Sequence, residues 1–282
     1  MKALLKKILP WHWRQTLSWA RFYHAKRKPP FEGVYARFDE VPRAAGWRAG
    51  LWTETSRVHA ERERAKIGVP IPESSQPSKA LLPMLAATAA TPGRPLRILD
   101  FGGAGGLDYA YLLAALGETL GGTLGGSEVD VRYHVVDMPE SCEAGRAVWA
   151  DDPRITFSTE LPKAGTPFDV IYAFTAVHTV EDTRGLLTTF AGYHPRFMLF
   201  CKNSMHEGPS FVRKQVNMGA DMENPQWALG FSAFVGMLGE LGYDLTYRGY
   251  GEDQYNVDNY PPAWRAGRTT NLLFRRRADA AA

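Results

Sequence analysis

Residues 97–106 read Arg-Ile-Leu-Asp-Phe-Gly-Gly-Ala-Gly-Gly, an apolar run followed by a glycine-rich stretch. Its apolar start is typical of a buried parallel strand. Four glycines follow within residues 102–106, and glycine lets a backbone turn sharply and approach a ligand closely. Residues 107–116 have the apolar spacing of a helix, so the turn should open directly onto a helix N-terminus.

A doubly wound sheet binds its nucleotide at such a turn. The dinucleotide pattern G-x-G-x-x-G does not fit, because Ala104 or Asp108 stands where a glycine is needed. The order D-x-G-x-A-x-G from Asp100 to Gly106 does fit. An acid at the strand end would repel a pyrophosphate but suits the ammonium group of a methionine moiety. A tight turn without a ligand is the alternative.

The D-x-G-x-A-x-G order resembles motif I of the class I S-adenosylmethionine (SAM) methyltransferases, which usually have glycine at the position of Ala104. The resemblance implies SAM as the cofactor. It also implies that Asp100 binds the methionine ammonium and that the backbone around Gly102, Gly103 and Gly106 holds the aminoacyl part.

Strands and helices alternate after this motif, which predicts a parallel sheet covered by helices on both faces. We expect an α/β fold with a doubly wound, mostly parallel, seven-stranded Rossmann-like sheet. Its last strand should be antiparallel, because no helix joins the final pair. The later strands are predicted at 129–136, 154–157, 168–174, 196–201, 243–250 and 271–276. The helices are predicted at 107 to about 120, 141–150, 183–191 and 232–241.

The first 77 residues are predicted to form a basic N-terminal arm and a helical lid, and residues 78–282 the SAM-binding domain. Residues 1–28 mix aromatic and basic side chains, which suits short helices on a membrane surface or packing on the body or a second subunit. Residues 31–38 form a short aromatic segment, residues 52–67 a polar helix, and Ser78 is expected to cap a helix that runs to about residue 88.

Composition limits the classes of protein. The chain has 282 residues, a net charge of +3 and two cysteines far apart, which indicates a reducing, cytoplasmic compartment and no disulfide framework. Residues 1–70 hold 15 Lys and Arg against 6 Asp and Glu, and the rest hold 18 against 24. A basic arm therefore precedes an acidic body, which allows a position at the inner membrane face and disfavours nucleic acid. No metal-like spacing of ligands occurs, so no metal is expected.

Ligands of an open α/β sheet bind at the carboxyl ends of its strands. Asp137 ends the second core strand, where an acid can accept both ribose hydroxyls, and Met138 could lie against the adenine face. Capping of the next helix is the alternative role for Asp137. Ser158, after the third strand, can meet the adenine amine. Phe174 and Thr175 end a strand that resembles motif IV of the same superfamily.

His178 is the candidate general base, because methyl transfer to a hydroxyl requires loss of a proton and histidine can take it near neutral pH. Its H-x-x-x-D context with Asp182 is similar to that of the catalytic histidine in O-methyltransferases of the caffeate type. Capping the next helix or stacking on adenine are alternative roles. His206 is a second candidate.

Residues 203–227 form an insertion above the strand ends, where substrate specificity is often set. Together with Gly33-Val34-Tyr35 and Asp137-Met138-Pro139, the segments around Gln215 and Trp227 resemble a bacterial methyltransferase family whose genes often accompany surface-polysaccharide genes. His206, Gln215 and Trp227 are the candidate substrate residues.

These features predict a SAM-dependent methyltransferase that acts on a hydroxyl of a sugar or glycan. Methylation of a small phenolic or secondary-metabolite hydroxyl is the alternative within enzymes. A non-catalytic scaffold that kept the fold is the alternative of another class.

Overall fold

The computed structural model describes residues 29–42, 49–65, 67, 77–116, 130–216 and 224–278. The ten strands found there are β1 (Phe31–Tyr35), β2 (Leu96–Phe101), β3 (Val131–Val136), β4 (Ile155–Ser158), β5 (Val170–Phe174), β6 (Phe197–His206), β7 (Phe211–Gln215), β8 (Asn224–Gly230), β9 (Tyr243–Gln254) and β10 (Arg268–Arg276). The six α-helices found there are α1 (Ala49–Arg64), α2 (Leu81–Ala89), α3 (Leu107–Leu116), α4 (Pro139–Val148), α5 (Thr183–Gly192) and α6 (Phe231–Glu240).

Seven strands form the central sheet in the order β4-β3-β2-β5-β6-β10-β9. The pairs from β4 to β6 are all parallel, and β10 runs antiparallel to both β6 and β9. This confirms the predicted mostly parallel, Rossmann-like sheet with an antiparallel last strand. The order reverses at β2 and β5, so the carboxyl ends of these two strands flank the crevice where such sheets bind ligands.

Helices cover both faces of the sheet, as a doubly wound fold requires. One core cluster joins buried residues of α1, α2, α3 and α4 to Ile98 and Tyr172. The other joins α5 and α6 to Leu99 and Ile171. Neighbouring residues of β2 and β5 thus face opposite cores, which explains why these strands are apolar throughout.

Three further strands extend the sheet beyond the predicted seven. The end of β6 pairs in parallel with β8. β7 pairs antiparallel with β8, and β1 pairs antiparallel with β7. β6 accordingly continues to His206, five residues past its predicted end. β7 and β8 were not foreseen in the 203–227 insertion, because the polar residues Arg213, Lys214 and Gln226 obscure any strand alternation. Residues 31–35 pair with β7 as β1, whereas the boundary at 77/78 stays a prediction.

Element ends differ from prediction by a few residues, and the role of Ser78 differs in kind. Residues 77–80 form a 3-10 turn, and the N-cap of α2 is Ala80 without a side-chain bond. The Ser78 hydroxyl instead bonds the Glu252 carboxylate and accepts from Asn271 Nδ2 at 2.9 Å. Ser78 therefore ties the chain to β9 and β10 rather than capping a helix.

The short helices predicted within residues 1–28 lie outside the described residues. Among the helices that the structure does describe, none combines the length and apolar character needed to cross a bilayer.

Candidate active site

The glycine turn joins β2 to α3 as the sequence predicts. Gly102 has φ +76°, and a Cβ atom there would lie 2.5 Å from the Cβ of Ala176. A Cβ on Gly103 would lie 2.2 Å from Asp100 Oδ2. Both positions therefore require glycine, one for its backbone conformation and its space, the other for space alone.

Asp100 lies directly beneath this turn and is fully buried. Tyr133 Oη donates a hydrogen bond of 2.7 Å to Asp100 Oδ2, whereas Oδ1 has no hydrogen-bond partner. Burial, followed by the charge of Asp108, raises the pKa of Asp100 well above its ordinary value. A buried acceptor without a donor is costly, so it marks a place where a ligand or water should supply one.

Asp137 joins the tip of β3 to the same turn. Its Oδ2 accepts from Ala104 N and its Oδ1 from Met138 N, each at 2.7 Å. Gly102 N also donates to Val136 O at 2.8 Å. Burial raises the pKa of Asp137 although these hydrogen bonds oppose the rise. The tips of β2 and β3 are therefore adjacent, with one carboxylate at each.

A buried ion pair that sequence reasoning missed lies beside the turn. Lys79 Nζ contacts Asp108 Oδ1, and both side chains are less than 10% exposed. The same ammonium lies over the rings of Phe174, 4.5 Å from the centroid, and Tyr111, at 5.0 Å. Lys79 follows a proline-rich segment, where its spacing has no pattern that could have revealed the pair.

The ends of β5 and β6 bring further charges to this edge. Lys202 Nζ lies 5.3 Å from the Phe174 ring centroid and pairs with Asp253 at 2.7 Å and Glu252 at 3.3 Å. Thr175 and Lys202 both have positive φ, +56° and +53°. Non-glycine residues rarely adopt this conformation, and such strain concentrates at functional sites. Phe174 and Thr175 thus lie at the crevice, and Lys202 adds a residue the sequence did not indicate.

His178 lies in a short 3-10 turn after β5 and is buried. Its Nδ1 is 3.4 Å from Asn203 Oδ1, and burial lowers its pKa to about 4. Asp182 instead accepts from Gly185 N at 2.8 Å as the N-cap of α5. In this structure Asn203, and not the acid of the H-x-x-x-D pattern, contacts the imidazole.

The remaining predicted residues are already engaged in local contacts. Ser158 Oγ bonds Glu160 O and the His134 ring, both at 2.8 Å. His206 Nε2 bonds Pro209 O at 2.8 Å, and Trp227 Nε1 donates to Glu181 O at 3.1 Å. Gln215 lies between Phe31 of β1 and Asn224 of β8. The three candidate substrate residues thus belong to the sheet extension and not to the glycine turn.

The buried carboxyl of Asp100 leads to a prediction about stability and pH. Because the pKa of Asp100 is higher in the folded than in the unfolded protein, protonation of this carboxyl stabilises the folded state. That stabilisation is complete below the pKa of the unfolded state and is lost as pH rises through the pKa of the folded state. At pH 8, Asp100→Asn should therefore raise the free energy of unfolding, by on the order of 1 kcal/mol. The difference in unfolding free energy between the variant and the wild type should be smaller at pH 4. Urea unfolding of both proteins at the two pH values tests this, and a less stable variant at pH 8 would contradict it.

No family model and no curated protein sequence matches the chain. Several solved methyltransferase structures are similar to it. The 1,6-didemethyltoxoflavin-N1-methyltransferase of Burkholderia thailandensis, solved with S-adenosylhomocysteine, is 16% identical over 85% of this chain and 93% of that one, with a TM-score of 0.48. Magnesium protoporphyrin IX methyltransferase from Synechocystis PCC 6803, also with bound S-adenosylhomocysteine, is 14% identical over 71% and 82%, with a TM-score of 0.44. A SAM-dependent methyltransferase from Mesorhizobium loti is 15% identical over 68% and 96%, with a TM-score of 0.45.

Proposed function

We propose that this chain is a SAM-dependent methyltransferase that methylates a hydroxyl of a sugar or glycan. The observation that carries the proposal is the pair of carboxylates at adjacent strand tips, linked through the glycine turn. Asp100 Oδ1 lacks a donor, and Asp137 Oδ2 is fixed by the Ala104 amide. The proposal therefore rests on the chain's own strand order and site geometry.

The residues present fit this cofactor. The unpartnered Asp100 Oδ1 suits an ammonium donor, and only glycine at position 103 leaves room above that carboxylate. Asp137 uses each oxygen once in the free protein, and a carboxylate oxygen can accept more than one hydrogen bond. The second lone pairs of Asp137 would accept the ribose hydroxyls, while Met138 would lie against the adenine.

When bound, SAM would supply a methyl group activated by a sulfonium sulfur. The protein then has to align the acceptor oxygen and to take its proton. Phe174 and Thr175, where β5 ends, would contact the cofactor. His178 lies on the turn that follows them, and we propose that it accepts the proton.

A base with a pKa of about 4 is neutral at physiological pH. If His178 is the base, protonation of its imidazole should not limit kcat between pH 6 and 8 and should do so only near pH 4. His178→Ala should lower kcat about 100-fold while the affinity for S-adenosylhomocysteine (SAH) stays the same. A pH–rate profile of both proteins measures this, and an unchanged kcat would exclude His178.

Two measurements test the proposed function. Calorimetric titration of the full-length protein with SAH should show one saturable site, and no binding would favour the non-catalytic scaffold. Transfer of labelled methyl from SAM should then be compared between carbohydrate and phenolic acceptors. Label in the carbohydrate supports the proposal, whereas label only in the phenol supports the alternative acceptor class.

We further propose that the enzyme works in the cytoplasm, in surface-polysaccharide synthesis, and that residues 1–28 hold it at the inner face of the membrane. The excess of basic residues before residue 70 supports this, because anionic lipid attracts such segments. Flotation with anionic liposomes, with and without residues 1–28, is the test. No flotation of the full chain would exclude membrane contact.

A further inference from the structure

The sheet extension carries buried polar side chains where an apolar layer would be expected. Arg213 of β7 lies opposite Gln226 of β8 in the strand register, and Asn224 lies two residues before Gln226. All three side chains therefore share one face of the sheet. Each is at most 5% exposed. Arg213 lies under the segment 255–266, whose Ala266 carbonyl accepts from its Nη1 at 2.8 Å.

Arg213 is a buried cation without a carboxylate partner among the described residues. Its guanidinium lies 3.3 Å from the ring centroid of Phe31, and its other hydrogen bond goes to the neutral Ser204 hydroxyl. Burial lowers its pKa to about 9. Burying a charge without an opposite charge is strongly unfavourable. The guanidinium of Arg213 therefore lacks the negative partner that would offset the cost of its burial.

Unsatisfied polar atoms accumulate around this cation. In the described part of the chain eight buried side-chain atoms lack a hydrogen-bond partner, and five of them belong to what we call the Arg213 cluster: Arg213 Nε, Asn224 Nδ2, Gln226 Nε2, Tyr260 Oη and Thr269 Oγ1. Thr269 is the strand partner of Ser204, which Arg213 contacts. Three of the five are N–H donors and the other two are hydroxyls, which can also donate, so a bound acceptor could pair with several of them.

The cluster is linked to a nearby pocket through two aromatic rings and lies close to the candidate base. A pocket of about 420 Å³ is lined by residues 254–258, Arg265, Gly267 and Arg268. Tyr255 lines it and packs edge-on against Phe31, the ring beneath Arg213. On the other side, Asn203 precedes Ser204 on β6 and contacts His178. The charge of Arg213 is among the causes that lower the pKa of His178, so the cluster lies near the residue proposed to take the acceptor's proton.

We propose that the Arg213 cluster binds a carboxylate carried by the acceptor, so that the methylated substrate is a hydroxy acid such as a uronic acid unit. This inference rests on the proposed function. A carboxylate is favoured over a phosphate monoester because a single guanidinium balances one negative charge. The carboxylate would replace the Ala266 carbonyl as the partner of Arg213 and would accept from Gln226 as well.

The test compares D-glucuronate with D-glucose as probes, titrated into the full-length protein saturated with SAH. The wild type should bind glucuronate about tenfold more tightly or better, as one charge-assisted pair implies. Arg213→Met should remove this preference and leave the affinity for SAH unchanged. Equal binding of the two sugars by the wild type, or a preference that survives Arg213→Met, would overturn the proposal.

Two further variants separate recognition from folding. Gln226→Leu keeps Arg213 and should reduce the preference for glucuronate by several-fold. Arg248→Met is the matched control, because Arg248 also lies over a phenylalanine ring, 3.7 Å from Phe231, but outside the cluster. If Arg213→Met does not fold, an unchanged preference in Gln226→Leu overturns the proposal. Failure of the wild type to bind SAH would instead refute the proposed function.

Discussion

Replacing Asp137 by alanine is expected to lower the affinity for SAH about 100-fold or more, since two hydrogen bonds from ribose to a charged acceptor are lost. The same change removes the acceptor of Ala104 N and Met138 N, so the glycine turn also loses its anchor to β3. Calorimetric titration with SAH measures the affinity, and thermal unfolding measures the accompanying change in stability.

Two variants show whether the loss belongs to the site. Asp137→Asn keeps one acceptor oxygen for the turn but removes the charge, so it should bind SAH more tightly than the alanine variant and less tightly than the wild type. Asp182→Ala is the control, because it removes a carboxylate that caps the N-terminus of α5 and is not among the proposed cofactor residues. It should reduce stability by about 1 kcal/mol without changing SAH affinity. Unchanged binding in Asp137→Ala would show that the cofactor lies elsewhere.

The central sheet was predictable because local sequence and tertiary role agree there. Ile98 and Leu99 face opposite cores, so an uninterrupted apolar run is what a strand buried on both sides needs. The glycines after Asp100 are required by backbone conformation and by space. The spacing of such residues is local along the chain, and a single sequence displays it directly.

The sheet extension was not predictable for the opposite reason. β7 and β8 contain buried Arg213 and Gln226, and a polar residue on the covered face removes the alternation that identifies a strand. The pairing of β7 with β1 joins residues that are about 180 positions apart in the chain. Such contacts depend on the assembled fold and have no local signature, which is also why residues 31–38 were predicted only as a short aromatic segment.

Side-chain partners were the least predictable part of the site. Serine is a common helix cap, yet the hydroxyl of Ser78 donates to Glu252 and accepts from Asn271. His178 has an acid four residues later, yet that acid caps α5 and Asn203 contacts the imidazole. In both cases a residue distant in sequence replaces the local partner that the pattern suggested.

Replacing Lys79 by methionine is expected to lower the free energy of unfolding by about 3–5 kcal/mol, the range for breaking a buried ion pair. Asp108 would keep a buried charge without its partner. Asp100 would also lose the cation that opposes the rise of its pKa. Urea unfolding followed by circular dichroism measures the change, and a loss below 1 kcal/mol would contradict a buried pair.

The double variant Lys79→Met with Asp108→Leu should recover most of that stability, because a pair of apolar side chains can replace a buried ion pair at little cost. Arg184→Ala provides the matched control, since its pair with Glu240 is exposed on both sides and should contribute less than about 1 kcal/mol. If the double variant is as unstable as Lys79→Met, the loss arises from packing against Phe174 and Tyr111, and the charge of Asp108 is not its cause.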